Sequence, residues 1–363
     1  MRIREFWHLA VLAALATLMT LAAAAQSYEI SDLYSSMDSA DVTLQRDGSG
    51  MVSDMVLRMD LIYEGKKIAS ENLTADDAGT YVVRWPELDA EKGSYDVCAS
   101  LLDKNHKYYD NDDKNSSNIR RKCYSFYYGG IEPIRFDVRD FRADSRGMHL
   151  AISASDPTVV DIYYMLIDGD RAIYVTREEV VPIAGSYAMP ITRDYEWKQI
   201  LESGHTYTGR VKIVELNHNQ TRAFMNSFQA LDDAKITETY QDETGASATV
   251  LGNSRVPFEG FLRFILMKNG SAINTTLAKT PVLLLGDDET VEITWNHTLE
   301  PGIYQLRTIL LNREGAVRDL EENVIEAEPR AQSNTTNATE NASFPAGAAI
   351  IAMLAAAVFM RKR

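Results

Sequence analysis

The feature that most constrains this chain is an internal repeat with a period of about one hundred residues. LRMDLIYEGKKI in the first copy and LRFILMKNGSAI in the third align without a gap. A middle segment, YYMLIDGDRAI, matches more loosely and places Met165 opposite Leu61 and Gly169 opposite Gly65. Units of this length are large enough to have a hydrophobic core each. The repeat therefore predicts three similar folding units in a row.

Downstream of these segments, each copy contains a Trp, a Leu, a Gly and a Tyr in the same order. They are Trp85, Leu88, Gly93 and Tyr95, then Trp197, Leu201, Gly204 and Tyr207, then Trp295, Leu299, Gly302 and Tyr304. We expect the tryptophans to pack in the core of each unit, and a surface row of rings for sugar stacking is the alternative. A Tyr that opens a strand after a Gly turn is typical of the tyrosine corner of Greek-key sandwiches.

The hydrophobic pattern identifies the fold class. Segments such as YVVRW and VEITW alternate apolar and polar residues, and turn residues separate them at intervals of about eight to twelve residues. The EG, DG and NG pairs predict tight hairpin turns. The chain is therefore predicted to be all-β, with three tandem immunoglobulin-like β-sandwich domains. We place these domains at residues 27–130, 131–234 and 235–328.

The N-terminal segment is typical of a secretory signal peptide. Arg2 and Arg4 precede an apolar run that ends in small residues at Ala25. A retained membrane helix is the alternative, since the run is long enough to span a bilayer. The small residues favour cleavage, so residues 1–25 are predicted to be removed on export.

The C-terminal segment predicts a membrane anchor. Residues 344–360 carry no charge and are followed at once by three basic residues, 361–363, which is near the minimum length for a spanning helix. Basic residues stay on the cytoplasmic side, so the rest of the chain is expected outside the cell. A buried core helix is the alternative, but a polar tract, 329–343, separates this segment from any domain. We interpret the tract as a glycosylated Asn/Thr-rich stalk.

The chain has two cysteines, Cys98 and Cys123, and both lie in strand-like segments. In an oxidising exterior, an isolated pair is most simply one disulfide bond. Closing a loop of about 25 residues stabilises a fold by roughly 3 kcal/mol. A metal site would need further Cys or His at close spacing, and the sequence offers none.

Nine of the seventeen asparagines begin an Asn-X-Ser/Thr triplet. They are Asn72, Asn115, Asn219, Asn269, Asn274, Asn296, Asn334, Asn337 and Asn341. Chance pairing would give about two or three, so the triplets predict N-glycosylated exterior loops. The alternative is that polar, turn-rich β proteins accumulate such triplets without modification.

Charge and motifs limit the functional classes. The net charge of −15 repels nucleic acid, so no nucleic-acid partner is expected. The six histidines are scattered singly, and the sequence contains no zinc-protease motif, nucleophile elbow, P-loop or dinucleotide fingerprint. We therefore predict no catalytic site and no cofactor. A glycan-active hydrolase is the less favoured alternative, because sequence alone cannot bring two distant carboxylates into one cleft.

One acidic cluster is a candidate cation site. Asp110, Asp112 and Asp113 lie between the two cysteine segments, and closely spaced carboxylates are what calcium needs. The segment lacks the glycine and the terminal glutamate of a calcium-binding hand. A solvated hairpin tip is the favoured interpretation, and calcium is the alternative.

Taken together, the LEPGIY turn-strand motif, the Thr/Asn-rich stalk, the short Ala-rich helix and the terminal RKR resemble a known group. It comprises archaeal cell-surface proteins with tandem Ig-like domains of the CARDB or fibronectin-like kind and a C-terminal sorting tail. The archaeosortase-processed members (PGF-CTERM type) carry a Pro-Gly-Phe signature before the helix, whereas Phe344-Pro345-Ala346-Gly347 stands here. The resemblance implies an envelope tether, with the helix either retained or replaced by a lipid.

These features predict a single-pass protein of the cell membrane with an extracellular ectodomain. The favoured function is a non-catalytic envelope protein, structural or adhesive, whose partners are the membrane and other envelope or surface proteins. The alternative is a ligand- or protein-binding ectodomain that works with a partner membrane protein. A contiguous apolar patch on one domain would favour that alternative.

Overall fold

The computed structural model describes residues 27–47, 55–102, 121–218 and 220–328. All of the regular secondary structure in these ranges is β-strand, which confirms the all-β class. None of these residues belongs to a helix long and apolar enough to cross a membrane. The predicted signal peptide, the acidic cluster at 110–113, the stalk, the anchor helix and the basic end lie outside the described residues.

The first repeat is built from two antiparallel sheets. Its strands are β1 (Ser27–Ser35), β2 (Ser39–Asp47), β3 (Met55–Tyr63), β4 (Lys66–Ala75), β5 (Gly79–Arg84), β6 (Gly93–Leu102) and β7 (Arg121–Tyr128). One sheet has the order β1-β2-β5 and the other has the order β4-β3-β6-β7. Their inward side chains share one core, in which Val42 and Leu57 are fully buried. We call such a pair of sheets around one core a sandwich.

The second and third repeats have the same arrangement of strands. The second contains β8 (Phe136–Ala143), β9 (Gly147–Ala154), β10 (Thr158–Asp168), β11 (Arg171–Ile183), β12 (Ile191–Glu196), β13 (Thr206–Glu215) and β14 (Thr221–Gln229). The third contains β15 (Ala234–Gln241), β16 (Gly245–Gly252), β17 (Gly260–Lys268), β18 (Ser271–Lys279), β19 (Asp288–Thr294), β20 (Gly302–Asn312) and β21 (Val317–Ala327). Their sheets are β12-β9-β8 with β11-β10-β13-β14, and β15-β16-β19 with β18-β17-β20-β21. Each sandwich thus has a three-stranded and a four-stranded sheet, and its own core.

The repeated tryptophans follow the last strand of each three-stranded sheet and are buried, as expected from the sequence. Each backbone N–H donates to the hairpin between the first two strands: Trp85 to Asp38 O at 3.0 Å, Trp197 to Arg146 O at 3.0 Å, and Trp295 to Thr244 O at 2.9 Å. Because the ring fills the core while the main chain is fixed to the hairpin, the Trp closes one end of each sandwich.

The repeated tyrosines form the predicted corners in two of the three sandwiches. The Tyr95 hydroxyl donates to Glu91 O at 2.7 Å, and the Tyr304 hydroxyl donates to Glu300 O at 2.9 Å. In the second sandwich the hydroxyl of Tyr207 instead accepts from the N–H of Glu202 at 3.3 Å. In every case the ring ties the start of a core strand to the chain a few residues upstream.

The tight hairpins are present, but the register of the middle one differs from the sequence alignment. In the first and third sandwiches both turn residues have positive φ, as at Asn269 (53°) and Gly270 (79°), which is the type I′ pattern. In the second, Gly169 takes the first turn position, with φ 60°, and Asp170 the second. A two-residue turn opened by glycine is typical of type II′.

This shift corrects the alignment of the middle repeat by one residue. Leu166, not Met165, occupies the place of Leu61, because the same β-bulge follows Leu166, Leu61 and Leu266. All three leucines are buried in their cores. Met165 therefore points to the opposite, outer face of its sheet, where it contributes to the contact between sandwiches described next.

Candidate functional site

The three sandwiches use one position on the outer face of the four-stranded sheet in three different ways. The position lies three residues after the repeated Tyr and is held by Cys98, Arg210 and Arg307. The residues across from it on the last strand are Cys123, Met225 and Glu322. The pairs form, in order, a disulfide bond, part of a buried contact between sandwiches, and a surface ion pair. The second of these is the candidate functional site.

The predicted disulfide bond between Cys98 and Cys123 is confirmed. The two residues face each other across β6 and β7, with Cα atoms 4.1 Å apart. Since the neighbouring Val97 and Ala99 point into the core, the disulfide lies on the outer face of the sheet. It joins the two strands that flank the segment containing the acidic cluster.

At the equivalent position of the second sandwich, Arg210 makes a fully buried ion pair with the first sandwich. Its Nη2 donates to Asp41 Oδ2 at 2.6 Å and its Nη1 donates to Ser39 Oγ at 2.5 Å. Both side chains of the ion pair are 0% exposed. Buried ions are tolerated only where partners compensate for the loss of water, so these two charges require the sandwiches to stay in contact.

Lys212 lies one outward position further along β13 and joins the same network. Its Nζ donates to Asp41 Oδ1 at 2.6 Å and to Asp32 Oδ2 at 2.9 Å, and its side chain is 5% exposed. It also lies 5.4 Å from the ring centroid of Tyr163. We refer to Asp32, Asp41, Arg210 and Lys212 as the ionic joint.

The electrostatics of the ionic joint keep Lys212 charged. Burial alone would lower the pKa of its amine, but the attraction of Asp41 and Asp32 outweighs this effect, and the pKa is raised. A protonated amine donates hydrogen bonds and is not a nucleophile. The residue therefore acts as an ion-pair donor. For the phenol of Tyr34, burial has the opposite effect and raises the pKa. The Tyr34 hydroxyl donates to Thr221 O across the same contact at 3.2 Å.

An apolar contact and a strand pairing extend the joint on one side. Val82 of the first sandwich is buried against Met165 and Ile167 of the second. The Val82 N–H donates to Asp170 O at 2.8 Å, and β5 and β11 are bridged there, so that the two sheets continue as one of seven strands. The outer face of β1-β2-β5 thus packs against the outer face of β11-β10-β13-β14.

A groove of about 670 Å³ remains beside the ionic joint. Its lining is mixed: Asp32, Tyr163 and Lys212 lie beside the apolar Leu33 and Val214. The amine of Lys212, which is the cation in this lining, is already engaged by two carboxylates. The groove is therefore a seam between two sandwiches.

Outside the ionic joint, two histidines of the second sandwich each pair with a carboxylate. His149 Nδ1 lies 2.7 Å from Asp194 Oδ1 on the face of the second sandwich, beside an open cleft of about 400 Å³. His205 Nε2 lies 2.7 Å from Asp168 Oδ1, and this hydrogen bond raises the pKa of His205. Over the described ranges, no group of three or more His, Cys, Asp or Glu side chains is placed to hold a metal ion.

Four of the nine predicted glycosylation sites lie within the described residues. Asn72, Asn269 and Asn296 are exposed, and Asn274 is half-buried on β18. Asn115, Asn219, Asn334, Asn337 and Asn341 lie outside the described residues, as do Asp110, Asp112 and Asp113. The structure therefore leaves glycosylation and calcium binding as predictions.

Sequence reasoning missed the ionic joint. Arg210 and Lys212 are outward-pointing charges on a strand that is otherwise buried, which is the one local signal of a covered outer face. Their partner Asp41 is 169 residues from Arg210 along the chain, so nothing in the local pattern links them.

Comparisons with known proteins give structural neighbours only. No family model matches the chain, and no curated protein matches it. Among solved structures, a tetra-tandem repeat in the extending region of a large adhesion protein aligns at 9% identity and a TM-score of 0.24, covering 83% of this chain and 75% of that one. Trypsin-activated alpha-2-macroglobulin from Escherichia coli aligns at 12% identity and 0.23, covering 84% and 24%.

Dimeric latent PorU from Porphyromonas gingivalis aligns at 13% identity and a TM-score of 0.22, covering 84% of this chain and 34% of that one. The chain thus spans about a quarter of the macroglobulin and about a third of PorU. Scores this low carry no information on function, which has to be argued from the residues of this chain.

Proposed function

We propose that this chain is a non-catalytic envelope protein in which three tandem immunoglobulin-like sandwiches hold a defined shape at the cell surface. In each sandwich the fourth strand pairs with the third, on the four-stranded sheet. This differs from the constant-type immunoglobulin arrangement, in which the fourth strand joins the other sheet, and suits a fibronectin-like variant.

The observation that carries the proposal is the ionic joint. Tandem domains usually move relative to one another unless their interface is large and well packed. Here two buried cations on one sandwich contact a fully buried carboxylate on the other. Such a contact makes the first two sandwiches one body, which is what a spacer or an adhesive stem needs in order to project a binding surface.

Surface features support an exterior location. The exposed Asn72, Asn269 and Asn296 leave room for glycans on the first and third sandwiches, and the Cys98–Cys123 disulfide suits an oxidising compartment. The signal peptide and membrane anchor expected from the sequence would place the row of sandwiches outside the cell. Attachment to the membrane and to other envelope proteins is part of this proposal.

The test is the intact mass of the native full chain extracted from its membrane, before and after deglycosylation, together with the adhesion of cells that lack it. We expect loss of residues 1–25, a sugar mass that deglycosylation removes, and weaker attachment of the deficient cells. An unprocessed, unmodified chain would contradict the surface location, and unchanged cell attachment and envelope integrity would contradict the structural or adhesive role.

A second candidate function is a protein-binding ectodomain. It is favoured by the outer face of β18-β17-β20-β21 in the third sandwich, which exposes several large apolar side chains. Ile303 is 68% exposed, Val324 is 63% exposed and Leu277 is 56% exposed. Capture of a separate membrane protein by the full chain, and its loss when this face is made polar, would favour the second function over a self-contained structural role.

A further inference from the structure

The outer face of β18-β17-β20-β21 is uncovered within the described part of the chain, although it carries several large apolar side chains. Leu277 projects from β18 at one edge of the sheet, Leu320 and Val324 project from β21 at the other edge, and each is more than two-fifths exposed. Exposed apolar side chains that occur singly are ordinary, but a group on one sheet face marks an interaction surface. The core of the third sandwich lies on the other side of this sheet, so folding does not explain the group.

The equivalent face of the second sandwich shows what such a face can bind. There, Met165 and Arg210 are paired across β10 and β13 and are buried against the outer face of the three-stranded sheet of the first sandwich. In the third sandwich Ile265 and Arg307 are paired at the same places. We call the outer face of the four-stranded sheet the donor face, because it supplies the cations of the ionic joint. The third sandwich repeats this face in part, since Ile309 takes the place of the lysine. No other sandwich covers it in the described residues.

The outer face of the three-stranded sheet accepts the hydrogen bonds of the ionic joint, and we call it the acceptor face. It too is repeated in the third sandwich. In the first sandwich Asp32 follows a β-bulge and pairs with Thr43, and in the third Glu238 follows a β-bulge and pairs with Thr249. The threonines make the same cross-strand hydrogen bond, at 3.0 Å to Thr80 in the first sandwich and at 2.8 Å to the corresponding threonine of β19 in the third. The outer face of β15-β16-β19 thus keeps the geometry of the acceptor face and the acid at the place of Asp32, whereas a serine stands at the place of the buried aspartate.

The two outer faces of the third sandwich carry exposed charges of opposite sign. Arg263, at the place of Tyr163, is exposed, and its guanidinium has no ion-pair partner within the described ranges. On the acceptor face, Glu238 and Glu292 are exposed carboxylates. Superposing the two joints by their strand registers places Arg263 beside Glu238, just as Tyr163 and Lys212 lie beside Asp32.

We propose that the outer face of β18-β17-β20-β21 docks on the outer face of β15-β16-β19 of a second copy of this chain. This proposal rests on the proposed structural function and identifies its partner. Donor and acceptor are the outer faces of the two sheets around one core, so they point in opposite directions. The contact is therefore heterologous, and two copies cannot satisfy both faces of each other, so further copies add head to tail. Asn274 does not obstruct the face, because it pairs with the inward Leu266 and shares its side of the sheet.

The test measures the molar mass of the detergent-solubilised full chain by light scattering over a range of concentrations. We expect a mass that rises beyond two copies. Arg263→Glu and Glu238→Arg should each weaken association by about tenfold or more, which is about 1.4 kcal/mol. The double variant R263E/E238R should restore it, because the ion pair is then reversed rather than lost.

The matched control introduces the same substitution, to Glu, at one exposed position of the third sandwich and at the equivalent position of the first. Thr275 in the third and Ser70 in the first are equivalent by register. Thr275→Glu should weaken association, and Ser70→Glu should leave it unchanged. A chain that stays monomeric, stops at two copies, or is not restored by the double variant overturns the docking proposal.

A failure of the docking proposal can be distinguished from a failure of the proposed function. Correct export and glycosylation of a chain that does not self-associate would overturn the docking alone. Head-to-tail association of a chain that is neither exported nor glycosylated would overturn the surface location alone.

Discussion

The joint between the first and second sandwiches differs in kind from the joint between the second and third. The first is a contact between two sheet faces with the buried pair of Arg210 and Asp41 at its centre. The second is made by loops: Arg255 N–H donates to Ser145 O at 2.9 Å, and Leu201 N–H donates to Arg255 O at 3.0 Å. Val256 extends from the third sandwich into the core of the second.

The difference shows how one repeated surface can be used in two ways. A contact through the sheet face buries the donor face of the second sandwich. A contact through the loops at the end of the second sandwich leaves the same face of the third free. In the described residues, this face of the second sandwich is thus covered, and the equivalent face of the third sandwich is available for a further contact.

The largest expected effect comes from breaking the ionic joint at Asp41. Asp41→Ala leaves Arg210 buried without its carboxylate, and removing one partner of a buried ion pair typically costs about 3–5 kcal/mol. Chemical denaturation of the full chain should show this loss in the transition of the first two sandwiches. Ser247→Ala, at the equivalent position of the third sandwich, is the control and should change stability by less than about 0.5 kcal/mol. Equal effects would mean that the cost of Asp41→Ala does not come from the ionic joint.

The second joint should depend on apolar packing. Val256 is 1% exposed, so Val256→Ala should cost roughly 2 kcal/mol through lost burial and a residual cavity. This cost should not depend on pH between about pH 6 and 9, because no titrating group loses its partner. Denaturation at several pH values checks this, and a pH-dependent cost for Val256→Ala would contradict packing by an apolar side chain.

The pH dependence of Lys212 gives a third distinction. Its folded pKa lies above the ordinary value of 10.5, so its stabilising effect is fully present below the unfolded pKa and is lost as pH rises through the folded pKa. The stability difference between the native chain and Lys212→Met should therefore be constant near neutral pH and should shrink in alkali above about pH 10.5. A difference that shrinks as the solution is acidified from pH 8 to pH 6 would contradict this assignment.

Several features of the fold could be predicted from the sequence because they depend on local patterns. The alternation of YVVRW, the turn glycines and the repeated Trp and Tyr are read within about ten residues, and the structure places them in strands, hairpins and cores. The one-residue error at Met165 arose because type I′ and type II′ turns place glycine at different turn positions. Sequence spacing does not distinguish between these turns.

The candidate site could not be predicted for a different reason. Asp41 and Arg210 meet only because two sandwiches dock, and each charge alone resembles an ordinary solvated residue. The correct prediction of the Cys98–Cys123 disulfide shows the contrast. Its partners are the only cysteines in the chain, so chemistry identifies the pair without any knowledge of the docking.

The smallest expected effect concerns the exposed counterpart of the buried arginine. Arg307 pairs with Glu322 at 2.6 Å, and both side chains are substantially exposed, at 40% and 55%. Arg307→Ala should therefore change the stability of the isolated full chain by less than about 1 kcal/mol. Thermal unfolding of dilute protein measures this change in stability. A cost like that of Asp41→Ala would mean that the face of the third sandwich is covered after all.

We propose that the ionic joint holds the first two sandwiches together as one rigid body. Spin labels on Lys66→Cys and Lys198→Cys, both exposed, would measure the distance between these sandwiches, since the native cysteines are bonded to each other. We expect one narrow distribution of the distance between the two labels, which broadens when Asp41→Ala is added. A broad distribution in the native background, or one that Asp41→Ala leaves unchanged, would contradict it.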